Sequence, residues 1–387
     1  MPPFLALRSG MWNWVLIWAL LAAGQVAGAT DGPPPASDRS GLSVLLGSDD
    51  DAGLTKAIAP RAFEFPADHG PHPDFRNEWW YMTGNLDAAD GRRFGFELTI
   101  FRFSLSKNAL APDSKWRTNQ VYIAHFAVTD VGGRRFFTAE RFSRGALGLA
   151  GAQAEPFRVW IDDWSMAAVA GEGTGRWTLR AADEDFGLEL DLSAQKPVTL
   201  NGDAGLSRKS AEAGNASYYY SISRWLAEGR IRIGRESLAV TGLTWLDREW
   251  SSSALAADQV GWDWFALQLS DGSDLMFYAL RRADGSRDPF SAGTFIAADG
   301  SARGIEASAV ELTVLEFWDS PQGGRYPSRW RMRVPEHGLE LEITPVMKNQ
   351  ELFTTVRYWE GAVDVSGRQA GRPIAGRGYV ELTGYAE

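Results

Sequence analysis

Read for its apolar and polar positions, the chain alternates with a period of two in short runs and shows almost no sustained helical period. The alternation predicts strands over 78–86, 93–103, 120–129, 157–164, 177–181, 188–192, 217–225 and 238–250. Further strands are predicted over 310–317, 330–334, 339–343, 356–365 and 378–385. Asp90-Gly91 and Asp271-Gly272 each stand between an aromatic-rich strand and a returning one, and such pairs favour the positive φ angles of tight hairpins. The pattern is that of an all-β protein whose sheet edges are managed by barrel or sandwich closure.

Two segments echo one another. Gly242-Leu243-Thr244-Trp245-Leu246-Asp247 and Gly376-Arg377-Gly378-Tyr379-Val380-Glu381 both place an aromatic, an aliphatic residue and an acid on the second strand of a hairpin. The openings echo as well, with Glu78-Trp79-Trp80-Tyr81 in one half and Trp262-Asp263-Trp264-Phe265 in the other. The chain therefore reads as one β unit used twice. Its 387 residues suit two cores, because a single core rarely grows past about 250 to 300 residues. The small-residue stretch 251–260 is the expected boundary, giving an N-terminal domain over 61–255 and a C-terminal domain over 256–387.

Residues 1–29 read as a targeting segment: Arg8, an apolar run over 11–23, and Ala27-Gly28-Ala29 before Thr30. The run falls short of the roughly 20 residues of a spanning helix. Cleavage is expected, leaving no transmembrane span and a periplasmic or secreted product. Residues 30–60, rich in Gly, Pro, Ser and Asp, read as a flexible leader with one short element at 42–46. The absence of cysteine excludes disulfides, thiolate metal sites and a Cys nucleophile. A net charge of -10 gives no basic footprint for nucleic acid.

Five motifs then carry a family likeness. His69-Gly70-Pro71-His72-Pro73-Asp74 running into Asn77-Glu78-Trp79-Trp80-Tyr81, and Asn215-Ala216-Ser217-Tyr218-Tyr219-Tyr220, come first. Trp245-Leu246-Asp247-Arg248-Glu249-Trp250, Gly261-Trp262-Asp263-Trp264-Phe265 and Tyr358-Trp359-Glu360-Gly361 follow in order. Together they resemble the lipocalin-like family of AttH and the carotenoid 1,2-hydratases, over about 60–387. The resemblance implies two lipocalin-like antiparallel β-barrel domains in tandem. It implies either a hydrophobic or isoprenoid-like ligand bound at the cell envelope, with an ABC transporter permease as partner, or a lyase that hydrates an isoprenoid alkene. In the hydratases a His, a Trp, a Tyr and an Asp are the proposed catalytic set, as two i, i+2 pairs. The matching positions are Tyr218 and Tyr220 on one strand and Trp245 and Asp247 on another, and only the Asp keeps its type.

The chemistry of that set can be read directly. On a strand of period two, Trp245, Asp247 and Glu249 share one face, while Leu246, Arg248 and Trp250 share the other. With the first face in a barrel lumen, burial and mutual repulsion raise a carboxyl pKa. A protonated carboxyl can then donate to an alkene while π faces steady the carbocation. The competing reading has Arg248 paired with a neighbouring carboxylate and the acids fixing loops, and both stay open. Glu249, His125 and Trp264 are candidate ligand contacts; His125 reads by default as a satisfied core histidine, and as a lumen acid–base group if its face points inward. Asp68 to Asp74 lacks a third ligand at regular spacing, so it reads as a rigid loop rather than a metal site. No phosphate loop, serine elbow or zinc-protease helix occurs in the sequence, and no cofactor is expected.

The targeting segment gives a direct test. N-terminal sequencing of the exported protein is expected to begin at or near Thr30, and an intact residue 1–29 segment in that fraction would establish an anchor instead.

Overall fold

The period-two segments become 23 strands in two antiparallel sheets, one of 13 strands over Asn77 to Ser251 and one of 10 over Gln259 to Leu382. The computed structural model describes residues 53–107, 114–171, 175–253 and 255–386. The targeting segment, and the leader as far as residue 52, lie outside the described residues. Three short 3-10 turns are the helical segments among the described residues, and none is long and apolar enough to cross a membrane.

The two sheets share one wiring. Asn77–Ala88 lies between Arg93–Ser104 and the closing strand Glu236–Ser251, and Gln259–Leu269 lies between Asp274–Arg282 and the closing strand Arg372–Leu382. Register agrees as well. Tyr81 faces Asp247 and Thr83 faces Trp245 across one pair, while Trp264 faces Glu381 and Ala266 faces Tyr379 across the other. Gly91 and Gly272, at φ +86° and +87°, make the opening turns of the two sheets, a conformation in which a side chain would be strained.

Each sheet curls into a barrel-like body around its own core. Trp80, Met82, Leu98, Ile100, Phe126, Leu246 and Trp250 fill the first, and Phe265, Phe277, Trp330, Leu341, Val363 and Val380 fill the second. One end of the first is further packed by His69, whose Nδ1 is 2.6 Å from the Tyr220 hydroxyl and whose carbonyl accepts from Trp80 Nε1 at 2.8 Å. Beside it Glu78 pairs with both Arg102 and Arg248, and the Arg248 guanidinium lies 4.0 Å from the centre of the Trp80 ring. The lumen expected for the ligand is thus occupied by side chains. The apolar faces of the strands had to go inward, and aromatic residues of this size leave no room behind them.

What remains outside each barrel is the face of Tyr81, Asp247 and Trp264, and there the two sheets meet. Tyr81, Tyr219, Trp245, Trp264, Met276, Tyr278 and Tyr379 form a separate buried cluster. Asn85 Nδ2 donates to the Gly378 carbonyl at 3.1 Å, and Gln268 Nε2 donates to the Ser223 and Thr244 carbonyls at 2.7 and 3.1 Å. Asp274, fully buried, takes Lys196 Nζ at 2.7 Å, Arg224 Nη2 at 2.6 Å and Ser223 Oγ at 2.8 Å from the first sheet. At Gly95 the sheets also come close, and a Cβ there would stand 2.6 Å from that of Ala362.

Asp274 is the carboxylate that neutralises the buried Lys196 ammonium and the partly exposed Arg224 guanidinium, and its removal leaves both with backbone carbonyls alone. Asp274→Asn is expected to cost about 3–5 kcal/mol in urea unfolding. A cost near zero would show that the two sheets do not depend on this contact.

Candidate functional site

Asp247 sits where the two outer faces meet, 3% exposed, on the closing strand of the first sheet. Alternation from Leu246 and Trp250, which are drawn into the core, turns Trp245, Asp247 and Glu249 the other way. Asp247 Oδ1 accepts from Trp245 Nε1 at 2.6 Å and from Ser221 Oγ, and Oδ2 accepts from the Tyr219 hydroxyl. That hydroxyl in turn accepts from Trp264 Nε1 of the second sheet at 3.1 Å. No arginine reaches Asp247 among the described residues; Arg248, on the opposite face, belongs to Glu78.

A cavity of about 130 Å³ opens beside it, walled by both sheets. Trp79, Tyr81, Phe101, Tyr219, Asp247 and Glu249 come from the first, and Trp262, Trp264, Tyr278, Tyr358, Glu360 and Glu381 from the second. Lys209 occupies one corner, with Nζ 3.1 Å from Glu249 and 4.4 Å from the centre of the Tyr278 ring. Burial works against its charge, yet Glu249, Tyr278 and Asp247 together outweigh burial and hold the ammonium above its ordinary pKa. His125 closes the far side. Its Nδ1 is 2.7 Å from the Tyr358 hydroxyl and its Nε2 is 3.1 Å from Glu140.

The site is acidic and buried, and its carboxyls respond accordingly. Burial pushes Asp247 up to about 7; the hydrogen bonds from Ser221, Tyr219 and Trp245 oppose this, and Glu249 adds to it. Burial likewise lifts Glu381 to about 7, with Trp262 pulling down and Asp247 and Glu249 pushing up. Glu360 is pushed well above the carboxylate range by burial, then by Glu97 and Glu381. Its carboxyl lies beside the hydroxyls of Tyr81 and Tyr358 without closing a regular hydrogen bond to either. Among the described residues no three His, Asp, Glu or Cys side chains are grouped to hold a metal ion.

An AttH-like family model matches residues 56–385, nearly all of the described chain. The chain belongs to the AttH-like family. An AttH candidate from Nitrosomonas europaea is 36% identical, with a TM-score of 0.77 over 86% of this chain and all of that one. Kievitone hydratase from Nectria haematococca shares the fold at 14% identity, with a TM-score of 0.64 over 86% of this chain and 97% of its own. No curated protein matches.

Of the residues singled out in the sequence, Asp247, Glu249, His125 and Trp264 line this one cavity and Trp245 stands behind Asp247 through its hydrogen bond, whereas Tyr218 and Tyr220 are not part of it. Those two tyrosines stand opposite Trp250 and Arg248 and point into the first barrel. Tyr218 donates to the Ala59 carbonyl at 2.9 Å, and Tyr220 meets His69. Tyr219 and Ser221, one position away, carry the i, i+2 pair that reaches Asp247. Cross-strand pairing of Tyr219 with Glu249 was the deciding signal, and it needs the register between two strands. The second-sheet residues Tyr358 and Glu360 were visible in a motif but not as parts of this site.

The raised carboxyls make stability depend on pH with a definite sign. Asp247 holds its proton more tightly folded, at about 7, than unfolded, near its ordinary 3.8. Its contribution is therefore fully present below the unfolded value and is lost as pH rises through the folded one. Asp247→Asn is expected to remove about 3 kcal/mol of the stability decline between about pH 5 and about pH 8. Urea titrations of parent and variant at both pH values check this, and parallel curves would show that Asp247 does not hold a proton.

Proposed function

We propose that this AttH-like protein takes an apolar, unsaturated small molecule into the cavity between its sheets and adds water to it by acid catalysis, a hydro-lyase reaction. The observation that carries this reading is Asp247, a carboxyl raised to about 7 beside aromatic walls and free of any arginine among the described residues. Burial keeps the acid protonated near neutral pH. Once the proton leaves for an alkene carbon, Tyr219, Ser221 and Trp245 hydrogen-bond the carboxylate left behind. The carbocation that forms lies among the aromatic rings of Trp262 and Trp264 in the cavity wall. Water then attacks.

The reading of apolar-ligand binding needs only the aromatic walls and is contained in this one. Kievitone hydratase is by its name a hydratase, which is consonant with the chemistry and adds no residue to it. We read the targeting segment as placing the reaction outside the cytoplasm, in the periplasm or beyond. An ABC transporter permease is the candidate partner for delivery of the hydrophobic molecule.

Asp247→Asn keeps the shape of the site but cannot supply the proton. Turnover of isoprenoid alkenes to tertiary alcohols, followed by gas or liquid chromatography with mass detection, is expected to fall by roughly 100-fold or more. Binding, read from quenching of tryptophan fluorescence, is expected to stay within about threefold. Binding without turnover in the parent would make the protein a carrier, and undiminished turnover in the variant would remove Asp247 from the chemistry.

A further inference from the structure

An acid that protonates an alkene leaves a second requirement, because the attacking water must lose a proton as its oxygen bonds to carbon. We infer that Tyr358 is the group that takes this proton, with His125 and Glu140 as the positioning residues that relay and stabilise it. The inference rests on the hydration reading of the same cavity.

The three residues come from both sheets. His125 and Glu140 are cross-strand partners on Gln120–Asp130 and Arg135–Arg144, and Tyr358 reaches them from Arg357–Gln369. Tyr358 and His125 line the cavity, and the Glu140 side chain, 26% exposed, lies behind them toward solvent. Glu140 is fixed from its other side by the backbone N–H of Thr355 at 2.9 Å and the Thr355 hydroxyl at 3.0 Å. Burial works against its charge, but the hydrogen bonds from His125 and Thr355 outweigh burial and keep it ionised below the usual range.

An ionised carboxylate can only accept. It therefore selects the His125 tautomer with the proton on Nε2, and Nδ1 is left to accept the Tyr358 O–H. On its other side the phenol oxygen faces the Glu360 carboxyl, with no regular hydrogen bond closed between the two. Tyr358 is held well above 10 by burial and by Glu97, Glu360, Glu381 and Glu140, so it does not rest as a tyrosinate. It must take one proton as it gives up another. Glu360, 1% exposed and on the same wall, has two oxygens without regular partners, which is the place for a water beside the Tyr358 hydroxyl.

The step balances. Asp247 gives its proton to one alkene carbon, and the water oxygen bonds to the other. The water proton moves to the Tyr358 oxygen while the Tyr358 proton moves to His125 Nδ1, forming an imidazolium beside the Glu140 carboxylate. The imidazolium returns its proton to solvent on the Glu140 side, and Asp247 takes one up before the next turnover. The arrangement follows the logic of a nucleophile, a base and an orienting acid, with water as the nucleophile and its proton relayed through a phenol to the base.

The test separates the acid step from the water step. Parent, Tyr358→Phe and Glu140→Gln proteins are incubated in D2O with myrcene, farnesene and lycopene, and deuterium in recovered alkene is measured beside alcohol formed. Protonation followed by deprotonation labels the alkene without needing the base. Tyr358→Phe is expected to lose roughly 100-fold in alcohol formation while alkene labelling persists, and Glu140→Gln roughly 10-fold or more. A parent that neither labels nor hydrates any of the three overturns the hydration reading itself. A parent that hydrates, with Tyr358→Phe forming alcohol at the parent rate or losing labelling and alcohol together, overturns the role of Tyr358 alone. Nitrogen-15 NMR of the substrate-free protein adds a check: a His125 proton found on Nδ1 rather than Nε2 would overturn the relay.

Discussion

Everything in this structure that could do chemistry depends on two sheets pressing together the faces that their own cores do not use. Each barrel-like body is satisfied internally by its aromatic core, so the contact between them is not needed to hide leftover apolar surface alone. It encloses acids instead. Asp247, Glu360 and Glu381 lose water there, and only Lys209 among the cavity-lining side chains brings a lysine or arginine charge into the cavity. Charges so placed would separate the sheets if they stayed ionised. The raised carboxyl pKa values are the relief of that conflict, and the same relief stores protons in an apolar chamber.

The molecule also holds buried ions that are paired with opposite charges, which explains how it tolerates those that are not. Asp274 with Lys196 and Arg224, and Glu78 with Arg102 and Arg248, are buried networks whose members find one another. These fix the sheets and the end of the first barrel. The cavity between them can then hold polar groups that find partners only when a ligand or water arrives.

Much of the architecture was legible because strands declare themselves by period two, and the repeated closing segments revealed one wiring used twice. The register of the copies follows from that repeat, as Asp247 with Tyr81 and Glu381 with Trp264 demonstrate. Parity on the strand Ala216–Ile233 was not legible. Three consecutive tyrosines offer both faces equally, and an irregularity between Ile222 and Trp225 exchanges the faces partway, so that Tyr220 and Ile222 are core before it and Trp225 and Ala227 after it. Nor could alternation say that a face turned away from one barrel would be buried against another. That is a property of two surfaces, and each sequence segment describes one.

Gly95 gives this arrangement a further consequence. It lies outside the cavity wall, yet its missing side chain lets the first sheet settle onto Ala362, two residues from Glu360. The pair acts as a spacer between rigid bodies. Adding or removing single methyl groups at these two positions alters the gap along the whole seam, and with it the girth of molecule the chamber admits. On the proposed reading, the range of molecules taken up can therefore drift without any change among the residues that line the cavity.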